Sequence, residues 1–182
     1  MTTNTIEAQS SPKEILLEVI DATTVAIKND EKLAVVRPKT STTLVAGTAT
    51  QVSVRSGIHE YTIDEPAGLG GTDLAASPVD HVLAALGSCN VITYQVWAAK
   101  LGITVDTIEI TLAGDLDLQG FFGINPDVRS GFQSIDMAVK LTGPETDERY
   151  AHLTKLVDEH CPVLDVLTAG VPVRATVTYN EE

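Results

Sequence analysis

Residues 77–101 read SPVDHVLAALGSCNVITYQVWAAKL, and their reading decides the fold. Ser77 is a favoured helix N-cap. Pro78 suits the first helical position, where an N–H would have no partner, and Asp80 completes a capping box with Asp in place of the usual Glu. Val82, Leu86, Cys89, Thr93 and Val96 then recur at spacings of three and four, with Leu83, Ala85, Ile92 and Trp97 apolar beside them. A long central core helix is expected, covered on most sides and ending near Leu101-Gly102.

Upstream of this helix, Gly68-Leu69-Gly70-Gly71 reads as a tight loop, since it lacks the G-x-x-x-x-G-K pattern of a phosphate cradle. From Lys32 to Ile63 the apolar period falls to two, through Val35, Leu44-Val45, Val52, Val54, Tyr61 and Ile63, with Ser56-Gly57 as a turn. That pattern predicts strands in an antiparallel meander. Ser11 to about Asn29 predicts a helix opened by Pro12 and fraying near Thr23-Thr24.

Downstream, Ile108, Ile110 and Leu112 mark a strand, and Ile135, Met137, Val139 and Leu141 mark another that Pro144 closes. Leu153, Leu156 and Val157 predict a helix ending at His160. Pro162 opens a short one that stops by Gly170, and Val171 to Tyr179 predicts a last strand. The order does not alternate as a parallel βαβ protein does, so the fold class expected is α+β with a buried helix.

The 182 residues are 43% hydrophobic and 20% charged, a composition that packs as one domain without disulfide staples. Twenty-five acidic against twelve basic side chains give a formal charge of −13, which repels phosphate backbones and anionic headgroups, so neither nucleic acid nor membrane is an expected partner. MTTNTIEAQSSPKE has no positive cluster leading into an apolar core, and no uninterrupted apolar stretch of bilayer length is evident. A soluble, cytoplasmic protein is expected.

Chemistry concentrates on two cysteines, Cys89 and Cys161. Cys161-Pro162 puts a sulfur at a helix N-terminus, where unpaired N–H groups favour an anion, while Cys89 lies in an apolar helix whose burial raises a thiol pKa. Local sequence thus favours Cys161 as the more acidic thiol. A cation for Cys89 must come from Arg55 or Arg129. Asp80 sits nine residues before Cys89, which at about 100° per residue places it on the opposite side of an ideal helix, so it serves the thiol only by holding a cation. His81 and His160 lack the short ligand pairs of a zinc site, and no metal is expected. No G-x-S-x-G elbow is present.

Four pieces in order resemble the OsmC/Ohr family of thiol peroxidases. They are Asp64-Glu65-Pro66 with Leu69-Gly70-Gly71, then Ser77-Pro78-Val79-Asp80 through Cys89, then Arg129-Ser130-Gly131-Phe132-Gln133-Ser134-Ile135, then His160-Cys161-Pro162-Val163. The likeness runs from about residue 40, which leaves residues 1–40 as a helical extension and 41–182 as an OsmC-like domain. It implies an OsmC-like fold, an antiparallel sheet wrapped around a long central helix, in an intertwined homodimer where Cys89 attacks an organic hydroperoxide and becomes a sulfenic acid, and Cys161 condenses with it to a disulfide. A dithiol, of lipoyl type, restores both, with no cofactor. The resemblance and the local reading therefore assign the reactive thiol differently. The chain departs from the family where members carry glutamate directly after the motif's proline: Val79 stands there and the acid is Asp80. The usual arginine position is also unoccupied, which leaves Arg55 to polarise the thiolate, with Asp80 orienting it, and Arg129 second. Phe121, Phe122 and Phe132 are candidates for an apolar substrate entrance. The alternative is a non-catalytic dimer binding a small apolar ligand at the subunit interface.

Overall fold

The computed structural model describes residues 11–179. Helix α1 (Pro12–Asn29) opens with the capping box its sequence spells: the Ser11 N–H donates to the Glu14 carboxylate at 2.6 Å, and the Glu14 N–H donates to Ser11 Oγ. It does not fray at its threonines. Thr24 Oγ1 donates back to the Ile20 carbonyl at 2.8 Å, so its hydroxyl is satisfied without leaving the helix. Lys13 Nζ reaches the Ile103 carbonyl at 3.1 Å and ties this helix to the end of the long one.

Val35 is not in a strand. Asp30 caps a single turn of tight helix over Glu31–Ala34, with its carboxylate on the Lys32 N–H, and Val35 and Val36 emerge exposed. Strands β1 (Thr40–Leu44), β2 (Val52–Ser56) and β3 (His59–Ile63) follow as the expected antiparallel meander, with Leu44 opposite Val52 and Val52 opposite Ile63. Val54 is buried on one face of β2, which turns Arg55 to the other.

Helix α2 (Pro78–Leu101) is built as read. Ser77 and Asp80 exchange hydrogen bonds at its start, and Gly102 ends it at φ 63°, a conformation that favours glycine. The Gly102 and Ile103 N–H groups donate to Ala99 and Ala98 and close the last turn. Its burial is one-sided, however. Leu86, Asn90, Tyr94 and Ala98 face inward, while Ala84, Ala85, Ser88, Ile92 and Gln95 are exposed, Ile92 at 63%. By length and composition this helix passes as a membrane span, with a mean hydropathy of 1.3 over 18 residues, although Ser88, Asn90, Thr93 and Gln95 interrupt its apolar run. The Tyr94 side packs as a core helix does.

Strands β4 (Thr107–Leu116) and β5 (Phe132–Thr142) form a long hairpin with Ile110 opposite Val139, interrupted by the short helix α3 (Leu118–Phe121) at its tip. Helix α4 (Asp147–His160), capped by Thr146, presses Leu153 and Val157 onto Tyr94, Ala98 and Ile103. Leu153 and Val157 are fully buried, worth about 1.5–3 kcal/mol each relative to exposure. Cys161 then ends α4 and caps α5 (Pro162–Ala169), which stops at Gly170.

Residues 171–179 form no strand, against expectation. Alternating valines supply propensity, but a strand requires a partner edge, and Val171, Val173, Val177 and Tyr179 are all exposed. The architecture is α+β, two antiparallel sheets with the long helix packed on the second.

Candidate functional site

Helix α2 and the α4–α5 junction bring the two cysteines together. Both are free thiols; Cys161 is fully buried and Cys89 half-buried. The Cys161 thiol lies close enough to Cys89 to act on it by hydrogen bond and charge. Burial pushes the Cys89 thiol up, and the Cys161 thiol adds to the rise. The Val163 backbone N–H and the Thr93 side chain work against it.

Val163 connects the two sequence arguments about these sulfurs. Pro162 has no N–H, so Val163 supplies the first donor of α5, and the sulfur it acts on is Cys89 rather than the residue that caps the helix. A helix N-terminus does attend a thiol here. It belongs to one element and the sulfur to another, so no local window of sequence contains the pair.

Neither candidate arginine is among the groups acting on Cys89. Arg55 is exposed on β2 and bonded across to Glu60 on β3, its Nε 2.8 Å from Glu60 Oε1. Asp80 does not orient it. The Asp80 carboxylate accepts from the Ser77 N–H at 3.0 Å and Ser77 Oγ at 2.6 Å, and those bonds hold it below the usual carboxylate range. Its observed contacts are those of a helix cap.

Arg129 stands elsewhere, at a cavity of about 500 Å³ between β5 and α5. Leu86, Phe132, Ile135, Met137, Leu164 and Leu167 make its apolar wall. Leu86 lies one turn before Cys89 on α2, and Leu164 follows Val163, but neither cysteine lines the cavity itself. Phe132 lines it as expected. Phe121 and Phe122 do not: they stack edge to face on each other, 5.1 Å apart, and are about 60% exposed.

His81 and His160 are on separate duties. The His81 ring stacks on Tyr61 at 5.7 Å, and that of His160 lies tilted against Trp97 at 4.4 Å. Among the described residues, no three His, Cys, Asp or Glu side chains gather as metal ligands.

Two residues escaped the sequence reading. Asp64 is fully buried and accepts five hydrogen bonds, from Thr50 Oγ1 at 2.6 Å, Thr72 Oγ1 at 2.7 Å, and the N–H groups of Glu65, Thr72 and Leu74. The hydroxyl bonds in particular hold its carboxyl far below the ordinary range. The Asp-Glu-Pro and Leu-Gly-Gly motifs are thus one folded knot that leads into Ser77. Gly71 is part of it, because a Cβ there would overlap the Glu65 carbonyl. The available signal was an acid flanked by Thr50 and Thr72 around a loop. Asn90, next to Cys89, is fully buried; its Nδ2 donates to the Leu86 carbonyl at 3.0 Å, and its Oδ1 has no partner among the described residues. A polar residue in an apolar helix run was its only signal.

Comparison with known proteins bears on this arrangement. The family model described as OsmC-like protein matches residues 70–176, more than half of the chain. No curated protein matches it. An OsmC-like protein from Mycoplasma pneumoniae superposes with TM-score 0.64 at 17% identity, covering 79% of this chain and 96% of that one. An organic hydroperoxide resistance protein OsmC from Legionella pneumophila gives TM-score 0.57 at 18% identity over 75% and 92% of the two chains. An organic hydroperoxide resistance protein from Elizabethkingia anophelis gives 0.57 at 18% over 74% and 89%. At these identities the likeness is one of fold.

Proposed function

The chain belongs to the OsmC-like family, and from that premise we propose that it is a cysteine-based peroxidase of organic hydroperoxides. The observation that carries this reading is the contact between Cys89 and Cys161, with the Val163 N–H directed at the former. In the reaction the Cys89 thiolate attacks the outer oxygen of R–O–OH. The O–O bond breaks, an S–O bond forms, and the alkoxide leaves and is protonated to the alcohol. Cys89 is then a sulfenic acid, oxidised by two electrons. The Cys161 sulfur attacks it, an S–S bond replaces the S–O bond, and the oxygen departs as water with the thiol's proton. A dithiol of lipoyl type reduces the disulfide by exchange and is itself oxidised.

Cys89 needs more help than one chain gives it. The exposed side of α2 and the unpaired segment 171–179 are surfaces that a second copy of the chain would cover, and we assign the active form as a homodimer. In that dimer Arg55 exchanges Glu60 for the Cys89 thiolate. Two unlinked thiols fit a reducing cytoplasm, where disulfides form as catalytic intermediates rather than staples.

Purified protein, supplied with cumene hydroperoxide and dihydrolipoamide, tests this. Turnover is expected in the wild type, falling about a thousandfold or more in Cys89→Ser, as for loss of a nucleophile. Cys161→Ser should leave one round of peroxide consumption and a trapped sulfenic acid. Turnover surviving Cys89→Ser overturns the assignment of roles. The second reading, a binding protein without catalysis, draws on the raised Cys89 thiol and the apolar cavity between β5 and α5; absence of turnover with every peroxide and dithiol would establish it instead.

A further inference from the structure

We infer that Thr93 is a switched donor to the reactive sulfur: its hydroxyl rests on the Cys89 carbonyl while the thiol keeps its proton, and turns to the sulfur when the thiol ionises. The use made of that thiolate rests on the peroxidase reading, but the placement of the hydroxyl does not. Thr93 Oγ1 donates to the Cys89 carbonyl at 2.7 Å. In an α-helix that carbonyl already accepts the Thr93 N–H, so the hydroxyl's bond is a second one and its departure leaves no orphaned oxygen.

Bonds of this kind recur in the chain, and the setting singles Thr93 out. Thr24, Ser88 and Thr168 each donate to the carbonyl four residues earlier, at 2.8, 2.7 and 2.8 Å, and all are exposed, where water can complete a hydroxyl. Thr93 is only 8% exposed, and the residue four positions back carries a sulfur. Side chains at i and i+4 share a helix face, so the hydroxyl stands beside the thiol as well as the carbonyl. It acts on Cys89 in the direction that favours the anion.

The α4–α5 junction closes over this face. Cys89 meets Cys161 there, and Trp97, one turn beyond Thr93, has its ring 4.4 Å from that of His160. A thiolate that gives up solvent needs donors from the protein in its place. The Val163 N–H supplies one from α5, and Thr93 supplies the other from α2 itself. The thiol's proton leaves to water through the exposed part of Cys89. When the sulfur attacks a hydroperoxide, its negative charge passes to the departing alkoxide and the hydroxyl returns to the carbonyl.

Iodoacetamide alkylation followed across the thiol's titration tests this without peroxide, in a Cys161→Ala parent so that one thiol reports. Thr93→Val keeps the shape and deletes the hydroxyl. Its profile should move to higher pH, slowing alkylation about threefold below the midpoint, as a lost hydrogen bond partly offset by a more nucleophilic thiolate requires, and leaving it no slower above. Thr93→Ala should do the same, and Thr93→Ser should restore the parent profile. Ser88→Ala, which removes an equivalent bond from the exposed side of α2, should leave the profile in place. An unmoved midpoint in Thr93→Val or Thr93→Ala overturns the inference, as does slowing that is equal at every pH or a failure of Thr93→Ser to restore. A moved profile without turnover of any hydroperoxide leaves the inference standing and removes the peroxidase reading.

Discussion

The loop around Asp64 and the helix turn around Cys89 both take an acidic group out of water, and they treat it in opposite ways. Asp64 receives five hydrogen bonds and stays charged, its carboxyl driven down. Burial dominates at Cys89, where the Val163 N–H and Thr93 oppose it only in part, and its thiol is driven up. The number of donors aimed at a buried acid decides its charge state. One region is finished within a single chain, and the other is left short of positive partners.

The strongest way to break this comparison is Asp64→Asn. Removing the charge leaves the Thr50 and Thr72 hydroxyls and three N–H groups facing a weaker acceptor, so the thermal midpoint at pH 7 should drop well below that of the wild type. Because the folded carboxyl titrates far below its ordinary 3.8, its stabilisation is complete above that pH and is lost as pH falls toward the folded value. Denaturant titrations should therefore show a constant wild-type advantage from pH 7 to 5 that shrinks below about pH 4. An advantage independent of pH would mean that the knot is held by shape rather than charge.

Cys161→Ala sharpens the other half. It removes a neighbour that raises the Cys89 thiol, so alkylation of Cys89 by iodoacetamide at pH 8 should quicken by a few-fold, as expected for loss of one weak unfavourable contact. A slower reaction would show that Cys161 assists ionisation. The smallest effect expected is for Tyr94→Phe, which deletes the 3.0 Å bond to Thr154 Oγ1 in the core and should cost about 1 kcal/mol by urea unfolding, leaving alkylation unchanged.

What was legible in the sequence follows from range. Ser77, Pro78, Asp80 and Gly102 act within a turn of themselves, so both ends of α2 could be read from the residues alone. The meander and the β4–β5 alternation were legible because period two survives any partner. Val171 to Tyr179 carries the same period and forms no strand here, since pairing is a property of two segments. The one-sided burial of α2 was hidden because residues at core spacing look alike whether a second surface is present or not. Arg55 is the candidate left for the thiol once the family's arginine position is found unoccupied, yet Glu60 faces it across the hairpin and holds it. Asp64 was quoted as a signature without a role, because its donors arrive from Thr50, Thr72 and Leu74, up to 14 positions away.

Cys161 sits at an elbow whose two arms differ in firmness. Upstream, α4 buries Leu153 and Val157 completely; downstream, α5 has no fully buried side chain. If the two sulfurs shorten their separation to a covalent bond, the upper arm resists and the forearm gives. Leu164 and Leu167 ride on that forearm, so joining the two sulfurs would reshape the chamber these leucines line, and the linked molecule would grip a ligand there differently from the unlinked one.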